Sequence, residues 1–211
     1  MTVSAARFPL VLLPGPDTPA ADVTRLVRAL PAALRPVVLR PAADAPRPCT
    51  AAGRALPDLA GGLVRQVRDA GVTGRFALHG WGAGAYLGLA LAGAFERAAG
   101  HAVCTTLFVS DAVAPGWAPA PRTSGPAHAV RRTVTESRLV VCAGPLPGGP
   151  SLAPWSRHST SGTEFVTLPP GPRAAALAGL ITTRLLPAGT RATPAPAAQP
   201  QSGERLARAT P

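Results

Sequence analysis

An α/β fold, with a mostly parallel sheet and helices on both faces, is predicted by three features of this 211-residue chain. Short apolar runs alternate with helical patterns, the order expected of parallel strands joined by crossover helices. Most runs are nearly continuous in apolar residues, as strands covered on both faces should be. One of them, Arg75 to His79, passes through Gly80, Trp81, Gly82, Ala83 and Gly84 into a long apolar helix, a sharp turn that glycine makes accessible.

The first strand is FPLVLL, Phe8 to Leu13. A helix follows, with Val23, Leu26, Val27 and Leu30 at helical spacing, Asp17 or Thr18 placed to cap its start and Pro31 near its stop. Pro36 to Leu39 forms the second strand, and Pro57 to Asp69 the second helix, with Leu59, Leu63, Val64 and Val67 on one face. After the strand Arg75 to His79, the helix Ala83 to Ala99 is apolar almost all round until Glu96 and Arg97, which predicts the most buried helix. Strands follow at Cys104 to Ser110, Arg138 to Ala143 and Glu164 to Leu168. The last helix, Pro172 to Leu186, ends against Pro187. Residues 1–186 are thus expected to form one domain. Residues 187–211, rich in Pro and Ala and without a hydrophobic period, read as a disordered tail.

The net charge of +11 raises the question of nucleic acid or an acidic protein partner. Every basic residue is arginine, lysine and asparagine are missing, and isoleucine occurs once, at Ile181, a bias that fits a GC-rich genome. The arginines are scattered, with Arg131 and Arg132 the one adjacent pair, and five Phe, three Trp and one Tyr offer few stacking surfaces, so no nucleic-acid partner is expected. Cys49, Cys104 and Cys142 form no CxxC pair, so neither a metal nor a disulfide framework is suggested, and no cofactor is expected. The longest apolar stretch, Gly82 to Phe95, is too short to span a bilayer, and the N-terminus lacks the marks of a secretory signal. A cytoplasmic protein with no membrane partner is the expectation.

The turn itself has the form G-x-G-x-G. A dinucleotide-binding turn would want G-x-G-x-x-G near the first strand and an acidic residue about 20 positions on, whereas this turn follows the third strand and that neighbourhood offers Ala102. In α/β-hydrolases the corresponding turn is G-x-S-x-G, with the serine held in a strained conformation. Here its central residue is Gly82, which keeps the turn and deletes the attacking oxygen.

Over a longer span the chain resembles the type II thioesterases, a family of α/β-hydrolases. FALHGWGAGAYLGLALAGAFERAAG followed by LFVSDAVAP is similar to that family's elbow F-G-H-S-M-G and the strand LFVSG with Ala-Pro after it; Leu107, Phe108, Val109, Ser110, Ala114 and Pro115 match the strand and its exit. LVLLPGP at Leu10 to Pro16 resembles the loop that holds an oxyanion-hole amide, LVVCAGPLPGG the strand before the acid, APWSRHSTSG a Trp-x-x-His helix end, and FVTLPPGPRAAAL the segment ending P-G-G-H-F. The likeness covers about residues 8 to 186.

The departures fall at the chemistry. The family serine aligns with Gly82, the acid's loop with Gly144 to Gly149, which has no carboxylate, and the histidine with Pro172. Between Ser110 and Arg138 there is room only for a Pro-, Ala- and Arg-rich connection, so the cap or lid is largely missing. Loss of nucleophile or base alone costs roughly a millionfold in well-studied triads. No catalytic residue is therefore assigned.

Several residues are candidate substitutes. Ser110 and Asp111 lie at a strand's C-terminal end, where Asp111 could orient a histidine, but a pair capping local backbone is favoured. His79 is expected to pack in the core or meet a carbonyl, His158 to be structural, His101 and His128 to sit in exposed loops, and Cys104 to lack an adjacent base. Trp81 fills space above Gly82. The resemblance then implies a non-hydrolytic thioesterase-like protein of polyketide or nonribosomal peptide biosynthesis, whose partner would be an acidic carrier protein bearing a phosphopantetheine acyl thioester. The alternatives are a weak acyl-thioester hydrolase and a drifted remnant without function.

Overall fold

Six strands, every neighbouring pair parallel, form a sheet in which β1 (Phe8–Leu13) and β3 (Phe76–Trp81) lie side by side at the centre. On the far side of β1 is β2 (Leu34–Val38); beyond β3 come β4 (Cys104–Ser110), β5 (Arg138–Ala143) and β6 (Thr163–Thr167), giving the order β2-β1-β3-β4-β5-β6. The computed structural model describes residues 7–40, 55–101, 103–115, 130, 132–144 and 152–186, with no side-chain description for 55–58. The expected tail, Cys49, His128, nearly all of the 116–131 connection where a lid was expected to be missing, and all of the acid's loop beyond Gly144 lie outside those residues.

Two layers of helix cover the sheet, as expected. On one face α1 (Ala20–Ala29) and α4 (Arg173–Leu185) pack together over a core of Leu10, Leu12, Trp81, Phe108, Val140 and Ile181. On the other, α2 (Ala55–Asp69) and α3 (Ala83–Ala99) pack over Val11, Leu13, Leu78, Leu107, Val109 and Val141. Alternate residues of each central strand feed the two cores, which is why no polar stripe could survive in them. Helix α3 is buried without a break from Gly84 to Gly93, matching its all-round apolar sequence.

Strand and helix ends shift slightly from expectation. β2 begins at Leu34 rather than Pro36, and β3 runs on to Trp81 because Gly80 and Trp81 pair with Val109 and Ser110 of β4. The N-cap of α1 is Pro19, not Asp17 or Thr18, and no side chain caps it. Thr18 is instead turned by its own N–H, which donates to the carbonyl of Gly15 at 3.1 Å, and proline's fixed φ starts the helix without a donor to satisfy. At the other end Leu30, held extended before Pro31, stops it as expected. Pro36 lies within β2, paired with Leu10 on one side only, as a residue without an N–H must be.

The N-terminal rim of the sheet is tied by Glu96 near the end of α3. Its Oε1 accepts hydrogen bonds from the Thr135 hydroxyl and from the Glu136 N–H at 2.9 Å, just before β5 begins. Ser137 donates its hydroxyl to the Cys104 carbonyl at 2.8 Å, joining the same segment to the start of β4. His158, in a 3-10 helix at Ala153–His158, donates from Nδ1 to the Thr133 carbonyl at 2.7 Å. Replacing Glu96 with Ala removes the acceptor shared by the Thr135 hydroxyl and the Glu136 amide, leaving them Ser137 and solvent, and should lower unfolding free energy by about 1 kcal/mol. Denaturant titration should show this loss, with Glu96→Gln, which keeps an acceptor oxygen, much closer to wild type.

Candidate functional site at the elbow

The switch point of the sheet lies between β1 and β3, from which the chain departs in opposite directions, and open α/β sheets place their sites there. Two turns meet at it. The loop after β1 carries Gly15, and a Cβ there would lie 2.8 Å from the Trp81 carbonyl oxygen. A Cβ on Gly84 would lie 2.0 Å from the Leu13 carbonyl oxygen, and one on Gly80 would lie 2.4 Å from Ala85 Cα. All three contacts are with backbone, which cannot step aside. These glycines are required by space.

Gly82 relieves strain rather than crowding. Its φ is 51° and ψ −120°, a sparsely populated region that a residue with a side chain enters at a cost of about 1–3 kcal/mol. Its N–H donates to the Ser110 carbonyl at 2.9 Å, and its own carbonyl accepts from Ala85 N–H at 3.1 Å to open α3. A Cβ there would meet nothing nearer than the Asp111 carbonyl oxygen at 3.8 Å. The position is an elbow with room for a side chain and none present.

The expected substitutes gather around this elbow, though not as a triad. Ser110 and His79 share a hydrogen bond of 2.9 Å between Oγ and Nε2, both fully buried, so Ser110 engages a histidine rather than capping local backbone. The Trp81 indole lies over them, its ring 3.9 Å from the His79 ring. His79 Nδ1 has no hydrogen-bond partner. Either tautomer therefore leaves a buried donor or acceptor unmatched. Burial, helped by the nearby Arg173 cation, pushes the His79 pKa down to about 3. The ring is neutral but a weak base.

Asp111 does not orient a histidine. It is the described non-glycine residue with positive φ, 57°, and its Oδ1 accepts from Arg173 at 2.5 Å. The two side chains are 47% and 42% exposed, so the pair contributes only about 0–1 kcal/mol. Among the described residues no histidine pairs with a carboxylate. Pro172, aligned with the family histidine, is the N-cap of α4 and offers no proton carrier. Burial pushes the Cys104 and Cys142 thiols up to about 12, so both are inert at neutral pH. His101 is exposed, as expected. No group of metal-binding side chains occurs among the described residues, and no described helix is long and apolar enough to cross a membrane.

A cavity of about 680 Å³ opens beside the elbow, lined by Gly82 and Trp81, by the start of α1 with Asp17, Pro19, Asp22 and Leu26, and by Asp111, Pro172, Arg173 and Leu177. The cavity, the Asp111–Arg173 pair and the His79–Ser110 pair are what sequence reasoning missed. Arg173 carried no signal, being one arginine among many.

The fold is shared with solved enzymes. RedJ, a thioesterase from the prodiginine biosynthetic pathway in Streptomyces coelicolor, superposes with a TM-score of 0.66 at 16% identity, covering 86% of this chain and 87% of that one. The fold is that of a thioesterase. The type II thioesterase BorB from the borrelidin biosynthetic cluster matches with a TM-score of 0.63 at 18% identity over 86% of this chain and 92% of its own. The NocB thioesterase domain, solved as a covalent complex with a fluorophosphonate nocardicin G analog, matches with a TM-score of 0.64 at 19% identity over 86% and 96%. No family model and no curated sequence matches the chain. Within the thioesterase fold, this chain keeps the elbow's geometry with glycine at its apex.

Two outcomes check this geometry. Gly84→Ala should prevent stable folding, because a methyl would sit 2.0 Å from a backbone oxygen, whereas Gly82→Ala should cost only about 1–2 kcal/mol of backbone strain; thermal melts of both variants give the comparison. The second outcome follows from His79. Its folded pKa is about 3 against 6.5 for the ordinary group, so the unfolded chain binds the extra proton between those values. Stability is thus full above pH 6.5 and falls as pH drops, with a slope approaching about 1.4 kcal/mol per unit. Urea melts from pH 7 to 5 should show that slope flattened in His79→Gln.

Proposed function

We propose that this chain is a thioesterase-fold protein of polyketide or nonribosomal peptide biosynthesis that binds acyl cargo or its carrier without hydrolysing it. The observation that carries this reading is Gly82, an elbow apex with the backbone of a nucleophile and no oxygen. A base would have nothing to activate, and Pro172 stands where one would be needed. Its fold is shared with RedJ and BorB, thioesterases of prodiginine and borrelidin biosynthesis, and with ClbQ from the colibactin NRPS/PKS pathway.

The partner proposed is an acidic carrier protein bearing a phosphopantetheine acyl thioester. The chain's +11 charge supports docking by electrostatic complementarity. The weak-hydrolase reading has one observation in its favour, the Ser110–His79 hydrogen bond. Against it, both groups are fully buried beneath Trp81, and a base with a pKa of about 3 draws little proton from serine.

Purified protein should give no adduct with a fluorophosphonate probe, measured by intact mass, and no turnover of acyl-pantetheine thioesters. Gly82→Ser should give none either. An acidic carrier protein should be retained by the immobilised chain at low salt and released as salt rises past roughly 0.15 M, where charges beyond about 8 Å are screened. Wild-type turnover that Asp111→Ala abolishes would overturn the reading, and so would carrier retention that is absent or indifferent to salt.

A further inference from the structure

The elbow cavity contains a guanidinium whose present partner is exchangeable. Arg173 and Asp111 both line the cavity, and the carboxylate of Asp111 lies against Arg173 at 2.5 Å. Asp111 reaches it from a left-handed backbone, φ 57°, which a residue with a side chain adopts at a cost. Both groups are half-exposed, so water already competes for them. A carboxylate from another molecule in the same place would keep Arg173 neutralised and let Asp111 relax into solvent.

The surroundings suit such a ligand. At about 680 Å³ the cavity is within the roughly 300–1,000 Å³ range of small-molecule sites. Trp81, Pro19 and Pro172 give it apolar walls for a hydrocarbon chain. Of its other charges, Asp22 is matched by Arg25 at 2.9 Å, and Asp17 is on the exposed part of the wall. The first turns of α3 and α4 begin at the wall residues Gly82 and Pro172 with no side chain capping their N–H groups, which adds partial positive charge beside Arg173.

We propose that this cavity binds a free aliphatic carboxylic acid, its carboxylate replacing that of Asp111 on Arg173 and its chain lying against Trp81, Pro19 and Pro172. A guanidinium is always charged and donates in a fork that matches a carboxylate. The carbonyl of an ester or thioester carries no negative charge and leaves that of the guanidinium unmatched. The site therefore prefers the acid to its esters. This goes beyond the proposed docking of a carrier protein and does not need it.

The test titrates octanoate and methyl octanoate into the full chain, followed by calorimetry, with circular dichroism confirming the fold of each variant. Octanoate should bind at least about tenfold more tightly than the ester, and Arg173→Gln should erase that preference. Asp111→Asn should tighten octanoate by roughly threefold or more, since it removes the competing carboxylate. Equal affinity for acid and ester, an unchanged preference in folded Arg173→Gln, or no octanoate binding by Asp111→Asn at millimolar concentration would each overturn the proposal. Carrier retention, read separately on the same protein, bears on docking alone.

Discussion

The backbone contact between the turns after β1 and β3 is the constraint on which the rest of this molecule depends. Leu13 and Trp81 present carbonyl oxygens so close to Gly84 and Gly15 that a single methyl on either glycine would collide. That approach fixes the angle at which α3 leaves the sheet, and α3 in turn fills the core on its face from Gly84 to Gly93. Helix placement, elbow shape and the cavity floor follow from one pair of peptide groups that side chains cannot separate. The shape of this site is also the packing of the domain, so the elbow cannot change without disturbing the core.

The polar groups nearest the elbow are neutral. Ser110 and His79 are fully buried, with the Trp81 ring against that of His79, and burial favours the uncharged imidazole. The charged pair, Asp111 with Arg173, lies on the wall of the cavity where solvent screens it. A hydrolase needs its base and acid buried together and in register with the nucleophile. Here the histidine is buried without a carboxylate, and the carboxylate is exposed without a histidine.

Much of this was legible in the sequence. Apolar runs located all six strands because parallel strands are covered on both faces, and Ala83–Ala99 was bounded correctly because its glycine turn and Gly100 punctuate it. The spacing of Gly80, Gly82 and Gly84 revealed the elbow and its empty apex. Two kinds of feature escaped. Caps and strand ends depend on hydrogen bonds to distant segments, as when β4 extends β3 to Trp81 or Gly15 turns Thr18 away from α1. Pairings such as Arg173 with Asp111, 62 positions apart, exist only once the sheet brings two loops together.

Pro36 gives the sheet a direction. On β2 it removes an outward N–H from one edge, so an incoming strand finds that ladder interrupted. At the opposite edge, β6 has no proline and exposes Phe165. Accretion of further strands is thus hindered at one margin by a single imino acid, while among the described residues the other margin carries no such interruption.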